Sequence, residues 1–455
     1  MSFLPMWLVF WILLSWSWIN EALNLPIIKS LLDVDFYKIN MLQVIFLGVT
    51  TKKNGKKVQL REISVKYQMI NRSKNVRIAD VIPEQLLRYH LDAARTLRFT
   101  EREVNYLRSL KRYREEFLSW LLSGFCLPAY ELVVVNGQYR LIVHADWATA
   151  MFWETIFMSI VAELYARSMR KAEGRSLLSV WFEGEVKLSL KMSKLSRHKL
   201  VRIADFGTRR RVAAIWQRYV LIRMYRKLGS ILVGTSNVYL AWKLNLKPIG
   251  TMAHEMFMVM AAIHHESHEE VRKSQIYFIQ LWKEFYGNVS GALVLLSDTF
   301  GVSALYEDLV KYLKKEEIAE WNMRQDSGVP ETFGEKTISF WKSLSIDPKT
   351  HAITYSDGLD VDRIIELHTS IGGRYNDAYG WGTDLMNDVG LPTLKIVVKA
   401  LKATIDGISY GLVKLSDEPG KYTAENIDDL IEYLTIFGHQ FDEAHLRSTW
   451  QSVAV

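Results

Sequence analysis

The sequence predicts an α/β protein: a closed (β/α) barrel preceded by a smaller α+β domain. Two observations carry this. From residue 200 onward, short apolar runs ending in small and polar residues alternate with helical stretches. Strands alternating with helices form parallel sheets through right-handed crossovers, and seven or eight such units favour a closed barrel over an open doubly wound sheet. Before residue 150 that rhythm is missing, and strand-like and helix-like segments mix without a repeating unit.

The elements follow in chain order. Residues 1–25 form an apolar extension whose first twenty residues carry no charge and include Trp7, Trp11, Trp16 and Trp18. It is marginal in length and hydropathy for a membrane span, and it lacks the basic start and small-residue cleavage site of a signal peptide. Two readings stand: an extension packed on the body or disordered, or a segment within residues 1–20 that contacts a membrane. Residues 26–175 form the α+β domain, with strands at 60–67 and 130–144 and helices at 83–98 and 102–110. Its Asn54-Gly55 pair, flanked by Lys52, Lys53, Lys56 and Lys57, reads as a type I′ hairpin tip. A long helix at 149–172 bridges to the barrel, residues 176–405. Barrel strands are expected at 200–204, 231–233, 248–249, 292–296, 322–323, 352–355, 374–379 and 394–398. Helices are expected at 210–227, 255–285, 302–315, 331–344 and 361–367. A strand at 408–414 would return to the first domain, so that 406–455 completes it.

Composition excludes several classes. The single cysteine, Cys126, rules out an internal disulfide and suits a reducing, cytoplasmic setting. Between Phe125 and Leu127 it reads as a buried apolar residue. The net charge of +7 is not interleaved with stacking aromatics, which argues against nucleic acid and for anionic phosphates as the reason for excess base. His264, His265 and His268 lie within a charged helical face with no third ligand at a defined spacing, so they are set aside as a metal site.

In a barrel, chemistry sits in the loops at the carboxyl ends of the strands. Here those loops read Asp205-Phe206-Gly207-Thr208-Arg209-Arg210-Arg211, Gly234-Thr235-Ser236-Asn237 and Gly250-Thr251-Met252-Ala253-His254-Glu255. Then come Ser297-Asp298-Thr299, Arg324-Gln325-Asp326-Ser327-Gly328, Ser356-Asp357-Gly358-Leu359-Asp360 and Gly380-Trp381-Gly382-Thr383-Asp384. Any one of them is explicable as turn and cap chemistry. Together they suit a phosphorylated sugar. The late glycine-rich loop can hold a phosphate, the carboxylates can take ribose hydroxyls or Mg²⁺, and arginine forks match phosphate and carboxylate. Only Lys399 ends a run as a lysine, which counts against Schiff-base chemistry.

These loops, with Leu31-Leu32-Asp33-Val34-Asp35-Phe36-Tyr37 upstream and Lys414-Leu415-Ser416-Asp417-Glu418-Pro419-Gly420-Lys421 downstream, resemble those of bacterial-type nicotinate phosphoribosyltransferases. The resemblance implies an irregular (β/α) barrel of the type II phosphoribosyltransferase kind plus an N-terminal α+β domain. It implies transfer of phosphoribosyl from phosphoribosyl pyrophosphate to nicotinate in NAD biosynthesis, with Mg²⁺ as cofactor and ATP as co-substrate. Phe206 and Tyr37 would sandwich the pyridine ring, Tyr37 reaching across the interface of a homodimer with a shared active site. Arg209 and Arg324 would bind the carboxylate and phosphates. Asp326 and Asp357 would hold ribose and Mg²⁺-pyrophosphate, and Gly382 and Thr383 the 5′-phosphate. Thr235, Ser236 and Gly358 would complete the substrate surface. His254 would be a phosphohistidine, with Asp326 and Arg324 as its catalytic companions. Nicotinamide-specific relatives carry aspartate where Ser236 stands, so a serine able to donate to a carboxylate favours nicotinate. Gln325 replaces the histidine of those bacterial enzymes, and Met256 and Trp381 also depart from their pattern. The alternatives are a nicotinamide phosphoribosyltransferase, or another sugar-phosphate enzyme on an α/β barrel.

Overall fold

A computed structural model describes residues 4–73 and 75–450. The N-terminal extension is a helix, Met6–Ala22, packed on the body along one stripe: Val9, Leu13, Leu14 and Ser17 are buried. Spacings of three and four keep those residues on one helical face. Phe10 lies edge-on to Trp181 and Tyr219, at centroid distances of 5.8 and 5.5 Å. Trp7, Trp11, Trp16 and Trp18 face outward. No helix among the described residues is long and apolar enough to cross a membrane; residues 1–3 of the segment lie outside the description.

The first domain opens with helix Phe36–Leu47 and a hairpin of β1 (Val49–Thr51) and β2 (Lys57–Gln59). The hairpin is where the Asn-Gly pair places it, but its turn is not type I′. Only Gly55 takes a left-handed φ, 82°, and Gly55 N–H donates to the Lys52 carbonyl, the pattern of a three-residue loop. Strand β3 (Ser64–Asn71) follows, then helices Glu84–Arg95 and Glu101–Ser109. The expected strand at 130–144 is two strands, β4 (Glu131–Val135) and β5 (Gln138–Asp146). They meet at Asn136 and Gly137, both left-handed (φ 52° and 74°), so the type I′ turn sits here. Cys126 is exposed, not buried. Phe125 and Leu127 turn inward, and extended backbone between two inward residues aims the middle one out.

Beyond helices Trp153–Ala172 and Leu177–Leu195 come β6 (Ile203–Asp205), β7 (Leu232–Thr235), β8 (Val294–Leu296), β9 (Asn322–Gln325), β10 (Ala352–Tyr355) and β11 (Asn376–Trp381). They form one parallel sheet in the order β7-β6-β11-β10-β9-β8, and an isolated parallel bridge between Thr235 and Pro248 adds the 248–249 run beyond β7. This is circular barrel order, because the last strand pairs with the first: Tyr379 aligns with Ile203 and Trp381 with Asp205. A doubly wound sheet would instead reverse its strand order. The ring is open, however. No strand pairing among the described residues joins β8 to the 248–249 segment. Between them the chain makes two helices, His254–Ile263 and His268–Tyr286, where one was expected. Ser267 caps the second by accepting from Glu270 N–H. The second helix packs against the first domain, Tyr286 donating its hydroxyl to the Asn40 carbonyl at 2.8 Å.

The run at 394–398 is not a barrel strand. It lies in β12 (Ile396–Ile405), which pairs antiparallel with β3 and with β13 (Ile408–Gly411) in a five-stranded sheet ordered β13-β12-β3-β5-β4. The chain thus returns to the first domain earlier than the sequence suggests. The open carboxyl end of the barrel sheet meets this antiparallel sheet, and the two together frame a site.

Candidate active site

Strand β6 ends at Asp205, whose carboxylate is wholly buried and accepts from Gly207 N–H, Thr235 Oγ1 and Gln217 Nε2 at 2.7–2.8 Å. Burial pushes its pKa up to about 6 despite those donors. The carboxyl ties the β6 and β7 loops together, and Thr235 spends its hydroxyl proton there. Phe206 comes next, its N–H held by the Trp381 carbonyl at 2.9 Å. A Cβ at Gly380 would overlap the Phe206 ring, so glycine on β11 is what lets the ring lie against the strand. Arg324, from β9, sets its guanidinium 5.5 Å from the centre of that ring. Its Nε and terminal nitrogen donate to Ser356 Oγ and Asp326 Oδ1, each at 3.0 Å.

Tyr37 lies against Arg209 and Glu154 of its own chain. The Arg209 guanidinium lies 5.6 Å from the Tyr37 ring centre. Arg209 is anchored through Nε to Asp35 and through one terminal nitrogen to Glu154, both at 3.0 Å. The Tyr37 hydroxyl donates to Glu154 at 3.2 Å. Behind them Lys38, fully buried, bridges Glu154 (2.7 Å) and Glu255 (3.2 Å). Burial drives both carboxyls up. Lys38 and Arg209 overcome it at Glu154, which falls below the usual carboxylate range, whereas Glu255 stays raised. Ser236 does not present its hydroxyl to the site: it is buried and donates to Asp35 at 2.6 Å.

His254 begins the helix His254–Ile263. Its Nδ1 lies 3.0 Å from Thr299 Oγ1, its Nε2 accepts from Lys414 Nζ at 2.9 Å, and Asp326 Oδ2 lies 3.2 Å from Nε2. Burial and then Lys414 lower its pKa, so the imidazole is neutral at pH 7. Burial would raise Asp326, but Arg324, His254 and Lys414 hold it far below the carboxylate range. His254, Asp298 and Asp326 bring one ligand atom each within 4.8 Å of one another. Asp298 accepts from Ser327 at 2.6 Å through Oδ2, while its buried Oδ1 has no partner among the described residues.

The far wall is basic. Asp357 accepts from Lys421 at 2.6 Å, and burial raises its pKa with Lys421 opposing. Lys399 makes no hydrogen bond or ion pair among the described residues; burial, then Lys414 and Arg72, bring its pKa down to about 7. Burial, then Arg209 and Arg72, lower Arg210 to about 10. Cations crowding one another in this way are a receptor for polyanions. Gly382 and Thr383 start the single-turn helix Thr383–Met386, and Gly358 takes φ 61° in the turn after Asp357.

Sequence reasoning missed Asp35, Glu154, Lys399, Lys414 and Lys421 as site residues. Asp35, Lys414 and Lys421 lay in the quoted blocks and Lys399 ended a strand-like run, which were the available signals; Glu154 had none. Gln325 is a brace: it donates to the carbonyls of Ser327 and Gly328, both at 3.0 Å, and shapes the loop that carries Asp326. Trp381 is buried and donates to Asp384 at 3.1 Å, and Met256 is core.

Beneath the site, Arg211 is fully buried and bidentate to Asp33, at 2.6 and 2.7 Å, with Asn237 donating to the same carboxylate. Breaking such a pair from one side strands a buried charge. Arg211→Met is expected to cost about 3–5 kcal/mol, read as a lower urea midpoint at unchanged slope. A midpoint unchanged from the parent would show the pair to be dispensable.

Residues 201–442 match the nicotinate phosphoribosyltransferase (NAPRTase) family, and residues 32–162 match the N-terminal domain of that family. The chain belongs to the nicotinate phosphoribosyltransferase family. Among solved structures it is similar to a nicotinate phosphoribosyltransferase from Vibrio cholerae, at 30% identity and TM-score 0.80 over 93% of this chain and 97% of that one. One from Porphyromonas gingivalis is 27% identical with TM-score 0.77, over 90% of this chain and 100% of that one. A Saccharomyces cerevisiae structure at 24% identity and TM-score 0.76, over 91% of this chain and 99% of that one, shares the fold. The two family segments hold both halves of the site: Tyr37 and Glu154 in the first, the strand-end loops in the second. Helix Met6–Ala22 precedes both.

Proposed function

We propose that the protein makes nicotinate mononucleotide and pyrophosphate from nicotinate and phosphoribosyl pyrophosphate, in NAD salvage. Two arginine–aromatic pairs carry the reading: Arg209 beside the Tyr37 ring, with one terminal nitrogen uncommitted among the described residues, and Arg324 beside the Phe206 ring. That arrangement suits a flat ring bearing a carboxylate: the aromatics take the ring, and Arg209 takes the carboxylate with a charge-assisted bond. An uncharged carboxamide gains less from the same guanidinium, which disfavours the nicotinamide reading.

In the transfer, the bond from ribose C1 to the pyrophosphate oxygen breaks, and its electron pair leaves with pyrophosphate. The pyridine nitrogen then bonds to C1. Asp326 is ionised, so it can hold ribose hydroxyls and offset positive charge building at C1. Lys414, Lys421 and Lys399 supply positive charge for the departing pyrophosphate. Gly382 and Thr383 take the 5′-phosphate. Asp326 and Asp357 would hold Mg²⁺, and the unpartnered Asp298 Oδ1 adds an oxygen donor of the hard type that ion prefers. When bound, the ion would neutralise pyrophosphate oxygens.

His254 is the proposed phosphoryl acceptor. A neutral imidazole gripped at both nitrogens can attack the γ-phosphorus of ATP, releasing ADP, and water later returns the phosphoryl group as phosphate. His254→Ala is expected to retain basal transfer and lose stimulation by ATP; stimulation that persists excludes the role. Because burial and Lys414 lower the His254 pKa, the acid loss of stimulation should come at lower pH than the titration of a free imidazole. A loss already complete at pH 7 would contradict a neutral imidazole.

The function itself is tested by presenting nicotinate and nicotinamide separately with phosphoribosyl pyrophosphate and quantifying each mononucleotide. Product from nicotinamide alone would replace the substrate assignment, and product from neither would remove it.

A further inference from the structure

Helix Met6–Ala22 roofs a second cavity of about 330 Å³, which none of the residues assigned to substrate lines. Trp16 and Tyr239 supply flat walls, Ile27 an apolar one, and Lys29, Arg218 and Arg211 bring positive charge to it. The volume is at the small end of ligand sites, which span roughly 300–1,000 Å³.

The charges in this cavity are unbalanced by commitment more than by count. Two acidic side chains also line it, and both are engaged. Glu163 takes Arg167 at 2.5 Å and the Ala214 N–H at 3.0 Å, and Asp33 takes Arg211 and Asn237. Arg211 is committed to Asp33 in return, but Arg218 and Lys29 are less engaged. Arg218 makes no hydrogen bond or ion pair among the described residues; its guanidinium lies 5.7 Å from the Trp16 ring centre, and its buried Nε has no acceptor. Arg211 is fully buried and its Nε likewise has no acceptor. Lys29 reaches only the Asn20 side chain, at 2.9 Å. Burial lowers the pKa of Arg218 and of Lys29. Buried donors without acceptors are costly, and an arrangement that retains two of them, on Arg211 and Arg218, around one space is poised to repay that cost with an anion.

We propose that this cavity is a binding site for a compact organic anion, a carboxylate or a phosphate monoester carried on a flat apolar body. The body lies between Trp16 and Tyr239, and the anion meets Arg218 and Lys29 with Arg211 Nε at the floor. The roof lies before residue 32, where the family match begins, while Asp33, Arg211, Arg218 and Tyr239 lie within the matched residues. It does not depend on the assigned reaction.

The test is calorimetric titration of the full chain with 1-naphthoate, 1-naphthyl phosphate and neutral 1-naphthalenemethanol, with nicotinate present to occupy the catalytic site. At least one anion is expected to bind, with the alcohol at least ten-fold weaker, and the stronger of the two anions identifies the head group. Arg218→Met should weaken the anion at least ten-fold while raising the unfolding temperature, since it removes an unpaired charge. Ala214→Phe, which fills the cavity from a lining position, should abolish binding. The proposal is overturned if neither anion binds, if the alcohol binds equally well, or if binding survives both substitutions.

Discussion

Asp326→Ala is expected to lower kcat/KM by about 10³-fold, with most of the loss in kcat and in the KM for phosphoribosyl pyrophosphate. Removing one preorganised electrostatic group from an active site commonly costs about 10²–10³ in rate. Asp326 carries more than one such duty. Its carboxylate receives Arg324 and Ser356 at 3.0–3.1 Å and lies 3.2 Å from His254, so its loss removes one partner from each of the three. It is also a negative group in a wall of cations that includes Lys414. Asp326→Asn keeps an acceptor for Arg324 and loses the charge, so it should fall between parent and alanine. Steady-state kinetics with each substrate varied in turn decides the matter. A change confined to the KM for nicotinate would put Asp326 at the wrong end of the substrate.

Arg209→Met should reduce kcat/KM for nicotinate by about 10²–10³-fold, in keeping with the roughly 2–5 kcal/mol lost when one partner of a buried, hydrogen-bonded charge pair is truncated. Two of its nitrogens are committed to Asp35 and Glu154, which fixes the plane of the fork and aims the remainder. Arg209→Lys keeps the charge and loses the planar geometry, so it should recover only part of the activity. The discriminating readout is selectivity. The ratio of kcat/KM for nicotinate over nicotinamide should fall in Arg209→Met, because the arginine's target is the carboxylate. An equal loss with both pyridines would make Arg209 a scaffold for Tyr37.

The barrel was legible because buried parallel strands leave short apolar runs, and the loops after them carry small and polar residues whatever the reaction. Which sheet a run joins is not a local property. Residues 394–398 have the look of a barrel strand, yet Ile396 aligns with Asn71, far back in the chain. Asn136-Gly137 sat unread inside a run taken as one strand, although it is the pair that adopts the type I′ turn. In the site, Phe206, Arg324 and Asp326 were visible because strand ends announce them. Ser236 was visible for the wrong reason, since its hydroxyl belongs to Asp35. Lys414 and Lys399 were assigned no role because a single lysine in a return strand or a following loop has no periodicity to betray it. Lys414 comes beside His254 where Leu415 N–H meets the Thr299 carbonyl, and Lys399 is placed by the pairing of β12 with β3.

The transfer reaction is tested directly by incubating the purified full chain with nicotinate, phosphoribosyl pyrophosphate and Mg²⁺ and quantifying nicotinate mononucleotide and pyrophosphate together, first without ATP and then with it. The two products are expected in equal amounts under both conditions, with a higher rate or yield when ATP is present. Absence of nicotinate mononucleotide in both, from folded protein, would contradict the proposed transfer.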